Sequence, residues 1–215
     1  MKRILCYGDS NTWGLIAGTT ERYEWGVRWT SRLQNALSAV GFQVVEEGLC
    51  GRTTVLEDAK RPGRSGAALL PAILESHAPL DMVVLMLGTN DCKTVYAPTV
   101  ESISKGVETL LGQIRDYAPN SKILLISPIA LGEGVGEAAY DPEFDEHSVE
   151  ISRALPDAYR FISCKWGIDY LAASEYAVPS PVDREHMDAK GHERLAKAVT
   201  SQIVQIFRED VKKTV

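Results

Sequence analysis

The chain has 215 residues, 45% of them hydrophobic and 24% charged, with a formal net charge of −6. That is an ordinary globular composition, and an acidic balance with pI near 5.3 argues against nucleic acid as a partner. No run is long and apolar enough to span a membrane, and the residues after Met1 lack the apolar core and cleavage site of a signal peptide. The expectation is one domain, 1–215, located in the cytoplasm and away from membranes.

In chain order, the first apolar run, RILCYG at 3–8, has strand length and breaks into small and polar residues, GDSN. An irregular stretch follows at 17–26, and then Trp29, Leu33, Ala36, Leu37 and Val40 form a helical stripe. FQVVEEG at 42–48 and DMVVLMLG at 81–88 predict the second and third strands. A second stripe, Ile103, Val107, Leu110, Leu111 and Ile114, leads to a fourth strand, KILLIS at 122–127. The segment 130–146 is rich in Gly and acidic residues and reads as a long loop. YRFISCK at 159–165 is taken as the fifth strand, and Leu195, Val199, Ile203, Ile206 and Phe207 give a last helix. Strands that alternate with helices predict an α/β fold, a three-layer α/β/α sandwich around a five-stranded parallel sheet. Cys6, Cys50, Cys92 and Cys164 are scattered singly, so they read as reduced, mostly buried thiols.

Ligands of open parallel sheets bind beyond the C-terminal strand ends. There the sequence places Gly8-Asp9-Ser10-Asn11, Gly48-Leu49-Cys50-Gly51-Arg52 and Gly88-Thr89-Asn90-Asp91. Ser10 alone is compatible with a helix cap, a phosphate loop or a nucleophile. Further along, Asp183 and His186 are three apart in a Pro-containing turn, so the carboxylate can fold back onto the imidazole and leave Nε2 free to take a proton.

These four segments together resemble the SGNH (GDSL) hydrolase family, with Ser10 in GDSN, Gly51 in EEGLCGRTT, Asn90 in GTND and His186 in DREH. GDSNTWG, VRWT, EEGLCGRTT and LMLGTND are similar to its arylesterase and acyltransferase branch. The resemblance implies a flavodoxin-like fold and hydrolysis of a small-molecule ester, with acyl transfer to an alcohol or peroxide in some members. It implies Ser10 as nucleophile, His186 as base and Asp183 as its carboxylate. It further implies an oxyanion hole made by the Ser10 and Gly51 amides and the Asn90 side chain, with no metal and no cofactor. Oligomers are common in that branch, so a homo-oligomer is expected. Asn11 departs from the leucine that many members carry, and with Trp13 it is a candidate for substrate binding.

The plainer readings are a turn glycine for Gly51, an Asx-turn for Asn90 and a structural contact for His192, which follows the credible N-cap Asp188. Asp9 and Asp91 read as loop braces, and Trp29 as core, while Trp25 joins Trp13 as a rim or interface residue. The spacings among Asp183, His186, Asp188 and His192 match no zinc signature. The rival from another class is a non-catalytic flavodoxin-like module that binds phosphate or a nucleotide, and against it neither G-x-x-x-x-G-K-[ST] nor G-x-G-x-x-G is present. The missing G-x-S-x-G around Ser10 disfavours a different fold, that of the α/β-hydrolases. A carbohydrate or other polar-ester deacetylase remains an alternative within the same chemistry.

Overall fold

A computed structural model describes residues 1–213. Five strands, β1 (Lys2–Gly8), β2 (Phe42–Gly48), β3 (Met82–Met86), β4 (Lys122–Ser127) and β5 (Asp169–Ala172), form one parallel sheet in the order β2-β1-β3-β4-β5. Six helices connect and cover it: α1 (Ser10–Trp13), α2 (Trp29–Ser38), α3 (Gly66–Ser76), α4 (Val100–Tyr117), α5 (Glu146–Trp166) and α6 (Ala189–Lys213).

Period-two alternation along the strands builds two cores. Ile4 and Cys6 of β1, with Met82, Val84 and Met86 of β3, face Trp29, Leu33 and Leu37 of α2 and Leu195, Val199 and Ile203 of α6. Leu5 and Tyr7, with Val83 and Leu85, face the opposite layer, Leu70 and Leu74 of α3, Val107 and Leu110 of α4, and Leu155 and Tyr159 of α5. Each of these fully buried apolar side chains contributes roughly 1.5–3 kcal/mol relative to exposure. The α/β/α sandwich therefore follows from strands that are apolar on both faces.

The fifth strand is not where the sequence run suggested. Residues 159–165 lie inside α5, and β5 is the short segment DYLA after it. Within 155–163 the buried positions are Leu155, Tyr159, Ile162 and Ser163, a spacing of three and four, while Phe161 is 71% exposed. That is helical periodicity. The helix starts at a capping box between Asp145 and Ser148 and stops at Gly167 in the left-handed conformation, whereas Pro156 in its interior imitates a boundary. The α2 stripe also ends earlier than its apolar pattern, since Val40 lies beyond the helix and is exposed. Cys6 and Cys92 are buried, Cys50 is half-buried and Cys164 is exposed.

The chain crosses from β1 outward to β2 and then back over β1 to β3, so the strand order reverses between β1 and β3. A crevice opens at such a switch point. Gly8 pairs with Gly48 on one side and with Met86 on the other, which aligns the loops after β1, β2 and β3 at one edge.

Candidate active site

Ser10 follows β1 directly, as the first residue of the single-turn helix α1, and is 4% exposed. Asp9 caps that turn by accepting the Asn11 N–H at 3.0 Å. Gly8 is required beneath it, because a Cβ there would lie 2.1 Å from Thr12 Oγ1 and 2.8 Å from the Met86 carbonyl oxygen. Gly48 has the same role on β2, where a Cβ would meet the Trp13 backbone nitrogen at 2.2 Å. The turn that carries Ser10 thus rests on two glycines.

His186 reaches Ser10 from 176 residues away, with Nε2 2.8 Å from Oγ. Its Nδ1–H donates to Asp183 Oδ2 at 2.8 Å, which leaves Nε2 to accept the serine hydroxyl. Asp183 Oδ1 accepts the Glu185 and His186 backbone N–H groups at 3.1 and 3.0 Å, and Oδ2 also accepts the Gly18 N–H at 3.1 Å. Burial would raise the Asp183 pKa, but the bonds from His186 and from those backbone groups outweigh it and hold the carboxyl below its ordinary range. For His186, burial would lower the pKa, yet the neighbouring Glu185, Asp183 and Asp9 carboxylates raise it.

Asn90 begins a 3₁₀ turn after β3, and its side-chain amide donates to the Arg52 carbonyl at 3.2 Å, tying the third strand's loop to the second's. One amide hydrogen of Asn90 remains for another acceptor. Gly51 has φ 83°, the left-handed region that favours glycine. Among the described residues, neither the Ser10 nor the Gly51 N–H donates to a backbone carbonyl. Asp91 braces the same edge by accepting the Thr54 N–H at 2.9 Å and its hydroxyl.

Sequence reasoning missed several supports. Arg52, 3% exposed, donates to the Gly8 carbonyl at 2.9 Å and to the Glu47 carbonyl, and stacks over Tyr7 at 4.0 Å. Tyr159 donates to the Leu87 carbonyl at 2.7 Å, and its oxygen lies 2.4 Å from where a Gly88 Cβ would stand. Both positions carry ordinary residue types in the sequence, and only the fold aims them at the site.

Asn11 is 3% exposed, and its side chain bridges two backbone groups of the histidine loop, accepting from Met187 N–H at 2.9 Å and donating to the Glu185 carbonyl at 3.4 Å. Trp13 is half-buried beneath the Arg22 guanidinium, 5.3 Å from its ring, while Trp25 is 57% exposed and Trp29 is in the core. His192 is fully buried, and its Nδ1 accepts the Trp29 N–H at 3.3 Å. The cleft lined by Lys60, Lys93, Tyr96 and Glu143 contains neither Ser10 nor His186. Among the described residues no helix is long and apolar enough to cross a membrane.

The serine, the histidine and the carboxylate stand in a line that suits acyl transfer. The profile of the GDSL-like lipase/acylhydrolase family matches residues 6–194. The chain belongs to that family. As a GDSL (SGNH) protein it is a carboxylic ester hydrolase. Est24, a carbohydrate acetylesterase from Sinorhizobium meliloti, is 31% identical over 96% of this chain and 100% of its own, with TM-score 0.89. The native aryl esterase of M. smegmatis is 32% identical over 95% and 99%, with TM-score 0.89. A carbohydrate acetylesterase family member from Sinorhizobium meliloti is 35% identical over 96% and 98%, also with TM-score 0.89. No curated protein matches by sequence at a significant level.

Proposed function

We propose that this GDSL hydrolase is a serine esterase for small, short-acyl carboxylic esters, working through a Ser10, His186 and Asp183 triad and an acyl-enzyme. The observation that carries this reading is the pair of 2.8 Å contacts that link Ser10 Oγ to His186 Nε2 and Nδ1 to Asp183. His186 takes the serine proton as Oγ attacks the carbonyl carbon, and Asp183 stabilises the imidazolium. The Ser10 and Gly51 N–H groups and the Asn90 amide receive the oxyanion, where each donor is worth roughly 10²–10³ in rate. His186 then returns its proton to the leaving alcohol, and water opens the acyl-enzyme by the same route.

An alcohol or a peroxide can replace that water, which makes acyl transfer the natural side reaction. New ester formed in water with excess alcohol is its test, and hydrolysis alone would count against it. The half-buried Trp13 suits an aryl or alkyl ester at the rim. A polar-ester deacetylase is the second reading, favoured by the buried carboxyl of Glu185 beside His186.

Hydrolysis of a short-chain p-nitrophenyl ester by the wild type, with nearly all turnover lost in Ser10→Ala, is the expected result. Undiminished turnover in that variant would remove the nucleophile assignment.

A further inference from the structure

Glu185 lies between Asp183 and His186 in sequence, and its side chain acts on the imidazole through charge but forms no hydrogen bond with it. The side chain is 10% exposed, and one carboxylate oxygen lies 3.7 Å from His186 Nε2, beyond hydrogen-bond length. Lys93, the cation that acts on it electrostatically, is engaged by Glu143 at 2.5 Å. Among the described residues no protein group donates a hydrogen bond to this carboxyl, and its oxygens are not among the fully enclosed ones, so they are open to a ligand. Burial pushes the group up to about 7, with Asp141 and Asp183 adding to the rise and His186 and Lys93 opposing it.

Its position assigns it to one side of the substrate. Nε2 must come within about 3 Å of the leaving oxygen to return the proton. An atom 3.7 Å from the same nitrogen therefore sits roughly 3–6 Å from that oxygen. The carbonyl oxygen points elsewhere, toward Ser10, Gly51 and Asn90. A hydroxyl on the carbon next to the ester-bearing carbon spans the remaining gap and can donate to the carboxyl.

We propose that Glu185 is a specificity residue for the leaving alcohol, accepting a hydrogen bond from a neighbouring hydroxyl, so that the preferred substrates are short-acyl monoesters of polyols. The inference rests on the serine-esterase reading and names its substrate class. It also accounts for a carboxyl kept beside His186 with no hydrogen bond from the protein.

The test compares glycerol 1-monoacetate with propyl acetate, matched in acyl group and chain length, with p-nitrophenyl acetate as a reporter that carries no hydroxyl. Wild type should favour the glycerol ester in kcat/KM by about tenfold or more, the usual scale for a hydrogen bond to a charged group. Glu185→Leu should bring the ratio close to one. Glu185→Gln, whose carbonyl oxygen still accepts, should keep it within about threefold of wild type. Each ratio is read on a single sample, so a loss of folded protein cancels. A wild-type ratio near one, or a ratio unmoved by Glu185→Leu, would overturn the proposal. Acetylcholine turned over faster than the glycerol ester would assign the carboxyl to a cation instead and equally overturn it. Absence of p-nitrophenyl acetate hydrolysis in wild type would remove the esterase reading itself. Its hydrolysis without any alcohol preference removes only this inference.

Discussion

The side-chain oxygen of Asn11 accepts the backbone N–H of Met187 at 2.9 Å, so the residue after Ser10 holds the loop that carries His186. Its amide also donates to the Glu185 carbonyl, and the two bonds fasten both sides of the histidine. The serine and histidine are thus registered by a neighbour of each as well as by their own 2.8 Å contact.

Asn11→Leu breaks both bonds and leaves a buried N–H without an acceptor, a loss of about 1–3 kcal/mol in stability. Because Asn11 positions His186, kcat should fall about tenfold while KM moves by less than about threefold. An equal fall in stability with unchanged kcat would reduce Asn11 to a packing residue.

The two buried histidines should separate cleanly. His186→Ala is expected to lower kcat/KM by about 10³ or more, whereas His192→Asn, at a residue bonded to the Trp29 N–H and not to Ser10, stays within about fivefold of wild type. Their effects on acid stability run the other way. Burial pushes the His192 pKa down to about 4, so between about pH 4 and 6.5 the unfolded chain binds a proton that the folded chain refuses. Stability therefore rises with pH across that window, by an amount on the order of 3 kcal/mol. Melting temperature against pH should show this acid limb in wild type and a flatter one in His192→Asn.

Activity should have its own pH signature. A base must be neutral, and the carboxylates of Glu185, Asp183 and Asp9 raise the His186 pKa against the opposing effect of burial. The imidazole then stays protonated at a pH where an ordinary histidine, near 6.5, has already lost its proton. kcat/KM should rise with pH through a midpoint above that value. Glu185→Gln removes one of the raising charges and should shift the midpoint down; an upward shift would contradict the arrangement.

Gly48→Ala tests the platform under the turn that carries Ser10. Its Cβ would meet the Trp13 nitrogen at 2.2 Å and Cα at 2.5 Å, both backbone atoms that cannot step aside singly. The expected outcome is a melting point lowered by several degrees and weakened Ser10 acylation, seen as a smaller burst with p-nitrophenyl acetate.

Much of this was legible in the chain. β1 to β4 lie on short runs of strand length, and the α4 and α6 stripes keep their period, so the layers could be read directly. Ser10, Asp183 and His186 stood in short motifs at a strand end and in one turn. What escaped was of two kinds. In α5, Tyr159 and Ile162 are aromatic and β-branched and follow a proline, which imitates a strand unless the caps at Asp145 and Gly167 are weighed. At the site, Arg52 and Asn11 act through backbone groups, and Glu185 lies beside His186 through the fold of one turn, none of which leaves a periodic trace in sequence. Asn11 looked like a residue for the substrate, whereas its amide is occupied by the loop of the base.

Arg184 is the one residue of the turn at 183–186 in the left-handed region, with φ 62°, a conformation that costs an ordinary side chain about 1 kcal/mol. Its guanidinium donates to the Glu133 carbonyl at 2.6 Å and to Glu137, and lies 4.0 Å from the Tyr140 ring, while its carbonyl accepts the Gly132 N–H at 2.8 Å. The strained backbone and the segment 132–140 are therefore one mechanical unit. A force that lifts that segment is delivered, through Glu185 alone, to the imidazole that stands 2.8 Å from Ser10.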